Sequence, residues 1–180
     1  MGYGVVEGEG VHLRHISHGV IKPDLEAPLE VRLKEIFFEL RRALELYRPE
    51  AVAVEGVFAF RNARSALILG HARGVALLAA AEGNLPVFEY APARVKRSVG
   101  ASGSAAKDGV ARMVRHMLTL GEVEREDATD ALAVALCHLN QVRAPGLAPA
   151  RVGGAAPRAK SRLGWEARLA PAFQRNGVPK

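Results

Sequence analysis

The residues AVAVEGVFAFRN at positions 51–62 decide how this chain is read. Ala51, Val52, Ala53 and Val54 are small or β-branched, and Pro49 and Gly56 bound the run. Such a run reads as a short strand buried on both faces. A carboxylate, Glu55, stands where it ends. An acid at the tip of a buried strand costs free energy unless something compensates it. Open α/β sheets gather their sites at the carboxyl ends of strands, so Glu55 is a candidate for metal or catalytic chemistry. A solvated glutamate without function fits the same spacing, since charged side chains are mostly exposed.

Upstream, residues 2–7 (GYGVVE) and 11–22 (VHLRHISHGVIK) read as two strands joined by a turn at Glu7-Gly8-Glu9-Gly10. Strict alternation would point His15 away from His12 and His18, so the three are not expected to converge on a metal. Leu29, Leu33, Ile36, Phe37, Leu40 and Leu44 then share one face of an amphipathic helix that ends near Tyr47, and it is expected to cover a sheet.

Downstream, residues 65–81 (SALILGHARGVALLAAA) form a small-residue helix with Gly70 and Gly74 on one face. That face permits tight packing on the sheet or a helix–helix dimer contact. Residues 86–91 (PVFEYA) form a further strand, and Pro92 starts a short helix carrying Lys96. The stretch 100–104 (GASGS) is flexible in composition but lacks the order of a phosphate-binding P-loop. Lys107 opens a helix whose apolar face holds Val110, Met113, Val114, Met117 and Leu118, with the methionines as core filler. The last helix, about 127–142, carries Asp127 and Asp130 three apart on one side of its first turn. An N-cap and a dipole-complementing acid account for the same pair.

Composition narrows the function classes. The chain has 180 residues, enough for one domain and a tail. No continuous apolar run is expected to span a bilayer, and no basic-then-apolar leader opens the chain. The single cysteine, Cys137, fits a reducing compartment and reads as a small buried hydrophobe. Residues 143–180 hold eight lysines and arginines against Glu166, a local +7 within a total of +6, so the preceding residues sum to −1. The expected organisation is a folded domain over 1–143 and a basic, disordered tail over 144–180, in which Trp165 is an isolated aromatic. A polyanionic partner follows from the tail rather than from the body.

The order is thus a strand hairpin, a helix, a strand, a helix, a strand and helices, an α/β class. One acid stands at a strand end and two on a late helix. Three carboxylates at one end of a sheet suit hard divalent cations, which take oxygen ligands and keep waters for a phosphate to replace. Two such ions about 4 Å apart cleave phosphodiesters by activating water and stabilising the leaving oxygen.

The stretches VAVEGVFAFRNARSALILGHARGVALLAAA (52–81), LPVFEYAPARVKRSVGASGSAAK (85–107) and DATDALAVALCH (127–138), with GYGVV at 2–6, carry a specific resemblance. Over nearly all of residues 2–142 the chain resembles the RuvC family, the bacterial Holliday-junction resolvases of the RNase H-like nuclease superfamily. The resemblance implies a five-stranded mixed sheet with helices on both faces. It implies a homodimer that binds four-way junction DNA, nicks it symmetrically during recombination and repair, and works with the RuvA–RuvB branch-migration complex in the cytoplasm, with no membrane partner. It implies two Mg²⁺ or Mn²⁺ ions per site. By matching position, Glu55, Asp127 and Asp130 are metal ligands, and Lys96 and Lys107 are catalytic residues approaching the scissile phosphate. Phe58 is the aromatic that stacks in the junction, with Arg61 and Asn62 beside it as DNA contacts. Gly70 and Gly74 lie in the dimer interface.

One departure qualifies the match. The family opens with a central strand of the form LGIDPG, whose Asp is the first metal ligand, whereas this sequence starts at Met1-Gly2-Tyr3. The sequence as given is therefore expected to bind metal weakly and cleave little. The alternative reading is a non-catalytic form that binds the four-way junction.

Overall fold

The segment that begins DATDALAVAL is apolar almost all round, and a helix of that kind needs neighbours on several sides. The computed structural model describes residues 1–9, 12–56, 63–100, 106–121, 123, 125–143 and 151–152. They form β1 (Gly2–Glu9), β2 (His12–Val20), α1 (Leu29–Tyr47), β3 (Val52–Glu55), α2 (Ala63–Glu82), β4 (Val87–Tyr90), α3 (Pro92–Ser98), α4 (Ala106–Leu118) and α5 (Glu126–Arg143). Ala128, Thr129, Leu132, Ala133, Val134, Leu136 and Cys137 of α5 are all buried. Most of them join Phe88, Tyr90, Val95, Val99, Val110, Val114 and Leu118 in one core. Cys137 is a buried free thiol, as its apolar surroundings in the sequence suggest.

Among the described residues, the strands form two small sheets rather than the five-stranded sheet that the resemblance implies. β1 and β2 pair antiparallel, and β3 and β4 pair parallel. α5 lies against both sheets and bridges them. Strand β1 approaches α5 closely because Gly2 and Gly4 stand where it meets the helix. A Cβ on Gly2 would run into the Asp127 carbonyl oxygen, and one on Gly4 would sit 2.8 Å from the Leu132 side chain.

The hairpin departs from the sequence reading in two ways. Strand pairing continues through Gly8↔Leu13 to Glu9↔His12, so the Glu7–Gly8–Glu9 stretch expected to turn is strand. The register also slips: Val5 pairs with Ser17 and Val6 with His15, leaving Ile16 as an extra residue on β2. Such a bulge resets which side chains share a face. His15 and His18 therefore meet, with His15 Nε2 2.8 Å from His18 Nδ1, instead of pointing apart.

The β3–β4 sheet has two differently used faces. Phe88 and Tyr90 point towards α5, and Glu89 points the other way, where the Arg73 guanidinium of α2 donates to it at 2.6 Å. Helix α1 packs mainly on α2 rather than covering the sheet as expected. It stops at Arg48, which adopts a left-handed conformation (φ 45°) and donates its N–H to the Leu44 carbonyl ahead of Pro49. Arg151 and Val152 pair with β4 on its outer edge: Arg151 bridges Phe88, and the Val152 N–H donates to the Val87 carbonyl at 2.9 Å.

Helix α2 corrects one further expectation. Over Ser65–Glu82 it is long and apolar enough, by length and composition, to cross a membrane, and little of it is buried. Its midpoint nevertheless carries Arg73, ion-paired to the sheet.

Candidate metal and phosphate site

Strand β3 delivers Glu55 to its carboxyl end, where pairing with β4 fixes it in register with Tyr90. The Gly56 N–H donates to the Tyr90 carbonyl at 2.8 Å and closes the strand end. In-register residues on neighbouring strands project to the same face, so Glu55 is on the α5 side with Tyr90. Glu55 is exposed at the rim, yet the protein crowds one side of it. Burial and then the negative charge of Asp130 push its carboxyl above the ordinary carboxylate range, with Lys96 opposing. Two of the residues singled out from the sequence thus act on a third: Asp130 from α5 and Lys96 from the last turn of α3 both act on Glu55 from β3.

Asp127 lies one turn before Asp130 in the first turn of α5. The helix begins at Glu126, so Asp127 is inside it rather than at its N-cap. The close approach of Gly2 to the Asp127 carbonyl fixes this turn against β1. Lys107 sits in the first turn of α4, and its side chain lies outside the described residues. Phe58, Arg61 and Asn62 also lie outside them. Gly70 and Gly74 have nothing within 4 Å of a built Cβ, so they do not pack on the sheet. Their helix exposes Leu67 at 63%, Leu69 at 49% and Leu78 at 53%.

The donor chemistry suits a hard cation in part. Repulsion between Glu55 and Asp130 is what a divalent ion between them relieves, and oxygen donors match Mg²⁺ or Mn²⁺. Among the described residues no three His, Cys, Asp or Glu side chains converge as a metal-holding group. The side chains as placed therefore fit an ion that draws the rest of its shell from water and phosphate oxygens, as Mg²⁺ commonly does.

Two features were not legible beforehand. The Tyr90 hydroxyl lies 2.7 Å from His138 Nδ1, a contact between residues 48 apart in sequence. His138 also lies against the Phe88 ring at 4.6 Å, with the Arg151 guanidinium 5.3 Å from that ring's centroid. A core aromatic and a helix histidine carry no local signal of such a pair.

The family model described as "Crossover junction endodeoxyribonuclease RuvC" matches residues 1–138. A relative of that name from Myxococcus xanthus is 59% identical over 181 residues, covering 97% of this chain and 92% of the relative. One from Syntrophotalea carbinolica is 51% identical over 137 residues, covering 76% of this chain and 85% of the relative. Among solved structures, Thermus thermophilus RuvC superposes with a TM-score of 0.74 at 39% identity, covering 84% of this chain and 92% of that one. T. thermophilus RuvC in complex with a Holliday junction substrate gives 0.73 at 37% identity, covering 83% and 91%.

Proposed function

The chain belongs to the RuvC family of crossover junction endodeoxyribonucleases, and from that premise we propose that it resolves four-way DNA junctions by paired, metal-dependent nicking. The observation that carries the reading is that Asp130 and Lys96, from two other elements, both act on Glu55 at the carboxyl end of β3. Two acids and a lysine drawn from three separate elements meet where an open α/β sheet places its chemistry.

Glu55, Asp127 and Asp130 hold the divalent ions, Mg²⁺ or Mn²⁺, two per site. Bound there, the ions supply an activated water and charge stabilisation on the phosphate oxygens. Lys96 draws the scissile phosphate towards the acids as a point charge, and Lys107 contacts it or its neighbour. Phe58 stacks on a base opened at the crossover, worth about 1–3 kcal/mol per base, with Arg61 and Asn62 on the backbone beside it. Residues 1–143 form the nuclease domain, and the basic residues of 144–180 add sequence-independent DNA affinity.

Two-fold nicking calls for two active sites. Leu67 and Leu78 of α2, exposed on the same side as its open Gly70 and Gly74, supply a face on which a second copy can dock with close backbone approach, giving a homodimer matched to a two-fold substrate. Dimerisation also offers an account of the apolar surface of α2 that needs no membrane. The RuvA–RuvB complex is the expected working partner, and the cytoplasm the expected location.

Asp127→Asn tests the mechanism on a synthetic junction with Mg²⁺. Loss of nicking with junction binding retained is the expected result. The rival reading, a junction-binding form without catalysis, draws on the absence of three converging donors among the described residues. It is favoured if the unsubstituted chain binds the junction and never nicks it at any Mg²⁺ concentration.

A further inference from the structure

α5 carries two of the three proposed metal ligands and β3 the other, so catalysis depends on how α5 is seated against the sheet. Among the described residues, four polar side-chain contacts tie the second half of α5 to its surroundings. Two run to α3: Arg94 donates to Gln141 Oε1 at 3.1 Å, and Asn140 donates to the Ser98 carbonyl at 3.1 Å. One runs to β2, where Arg143 donates to the His12 carbonyl at 2.9 Å. The fourth, Tyr90 to His138, is the one that reaches the strand paired with Glu55.

We propose that Tyr90 and His138 are a positioning pair, which locks α5 to β4 and thereby sets the spacing between Glu55 and the two aspartates. The inference rests on the metal-site reading above and adds the element that holds its geometry.

Tyr90 is 1% exposed, and its backbone carbonyl receives the Gly56 N–H that ends the Glu55 strand. A shift of its ring is thus felt directly at the strand end. His138 lies eight residues beyond Asp130, about 12 Å along the helix at 1.5 Å per residue. Over that lever a slight tilt at His138 moves the acids by a comparable amount. The imidazole is held on a second side by the Phe88 ring. Burial lowers the His138 imidazole from its ordinary value, and burial pushes the Tyr90 hydroxyl up to about 12, so the phenol retains its proton. The two groups share one hydrogen bond, whose direction follows the imidazole tautomer. On this proposal the pair acts through α5.

The test uses the full chain with four variants: Tyr90→Phe, His138→Asn, His138→Leu and, as a control on the site itself, Asp130→Asn. Asparagine places an acceptor near the position of Nδ1; leucine supplies none. Junction affinity is measured in Ca²⁺, nicking under single turnover, and the Mg²⁺ midpoint by titration of the melting temperature, a readout that does not depend on how fast the parent chain nicks. Tyr90→Phe and His138→Leu are expected to slow nicking and raise the Mg²⁺ midpoint by about tenfold, the scale on which outer-shell partners of metal ligands act, with junction affinity unchanged. His138→Asn is expected to recover most of the loss. A lowered melting temperature with an unchanged Mg²⁺ midpoint in both Tyr90→Phe and His138→Leu would overturn the proposal and leave the pair a packing contact. If Tyr90→Phe does not fold, His138→Asn against His138→Leu decides alone: equal midpoints overturn the proposal. Nicking retained in Asp130→Asn would instead sink the metal-site reading, which separates the two failures.

Discussion

Gly4→Ala probes the contact on which the seating of α5 against β1 depends. The added methyl carbon would lie 2.8 Å from Cγ and Cδ2 of Leu132 and 2.9 Å from its backbone nitrogen. Ordinary carbon contacts begin near about 3.5 Å, so strand and helix must separate by more than roughly half an ångström. Leu132 is fully buried in the core, and its backbone belongs to a rigid helix, so rotamer change alone does not relieve the clash. Overpacking of this kind costs about 1–3 kcal/mol, which for a domain of this size lowers the melting temperature by roughly 3–10 °C. The displaced helix also carries Asp127 and Asp130, so metal binding should weaken alongside stability. Thermal melts read the first effect, and Mg²⁺ titration of the melting temperature reads the second. A double-mutant cycle with Leu132→Ala isolates the contact: the Gly4→Ala penalty should shrink in the truncated background, though not vanish, because the backbone nitrogen remains. A Gly4→Ala protein with the parent's melting temperature and Mg²⁺ response would refute the close packing of β1 on α5.

Three further outcomes follow. Glu55 holds its proton to higher pH folded than unfolded, so its contribution is present below its ordinary value of 4.5 and is lost as pH rises through the folded value. Glu55→Gln should therefore raise metal-free stability at neutral pH, with the gain fading in acid, as read by urea melts across pH. His15 and His138 are both held below the ordinary histidine value of 6.5, by burial first and, for His15, also by His18. Unfolding then takes up protons as the pH falls through 6.5, stability drops there, and His15→Gln should flatten part of that drop in the same melts. Deleting residues 153–180 removes six lysines and arginines and one acid, and should reduce the salt slope of junction binding by about 0.9 for each phosphate that this segment neutralises. An unchanged slope would mean that this segment does not touch DNA.

What the sequence disclosed was governed by locality. The strand ending at Glu55, the apolar face of α4 and the start of α5 near Asp127 are written in short-range periodicity, and they were legible. The bulge at Ile16 was not. One inserted residue changes no composition and leaves the apolar pattern of β2 intact, yet it turns His15 towards His18. The exposure of α2 was hidden for a different reason: a helix of alanines, leucines and glycines has the same hydropathy whether a sheet, a second copy or a bilayer covers it. Spacing alone did not connect Glu55 with Asp130, 75 residues away. The resemblance joined them, and the charge of Asp130 acting on Glu55 is the physical trace of that proximity. The Tyr90–His138 contact had neither pattern nor motif to announce it.

Arg151 and Val152 give β4 a neighbour on the side away from β3. A strand margin with unclaimed amide and carbonyl groups is a template for any other extended chain it meets. A protein cut back to residue 143 loses this seal while keeping its core. Such a truncation should scatter more light on storage than one ending at residue 152, even if both melt at the same temperature. The end of the chain thereby serves colloidal hygiene as well as electrostatic attraction, and the two services are separable by where the chain is cut.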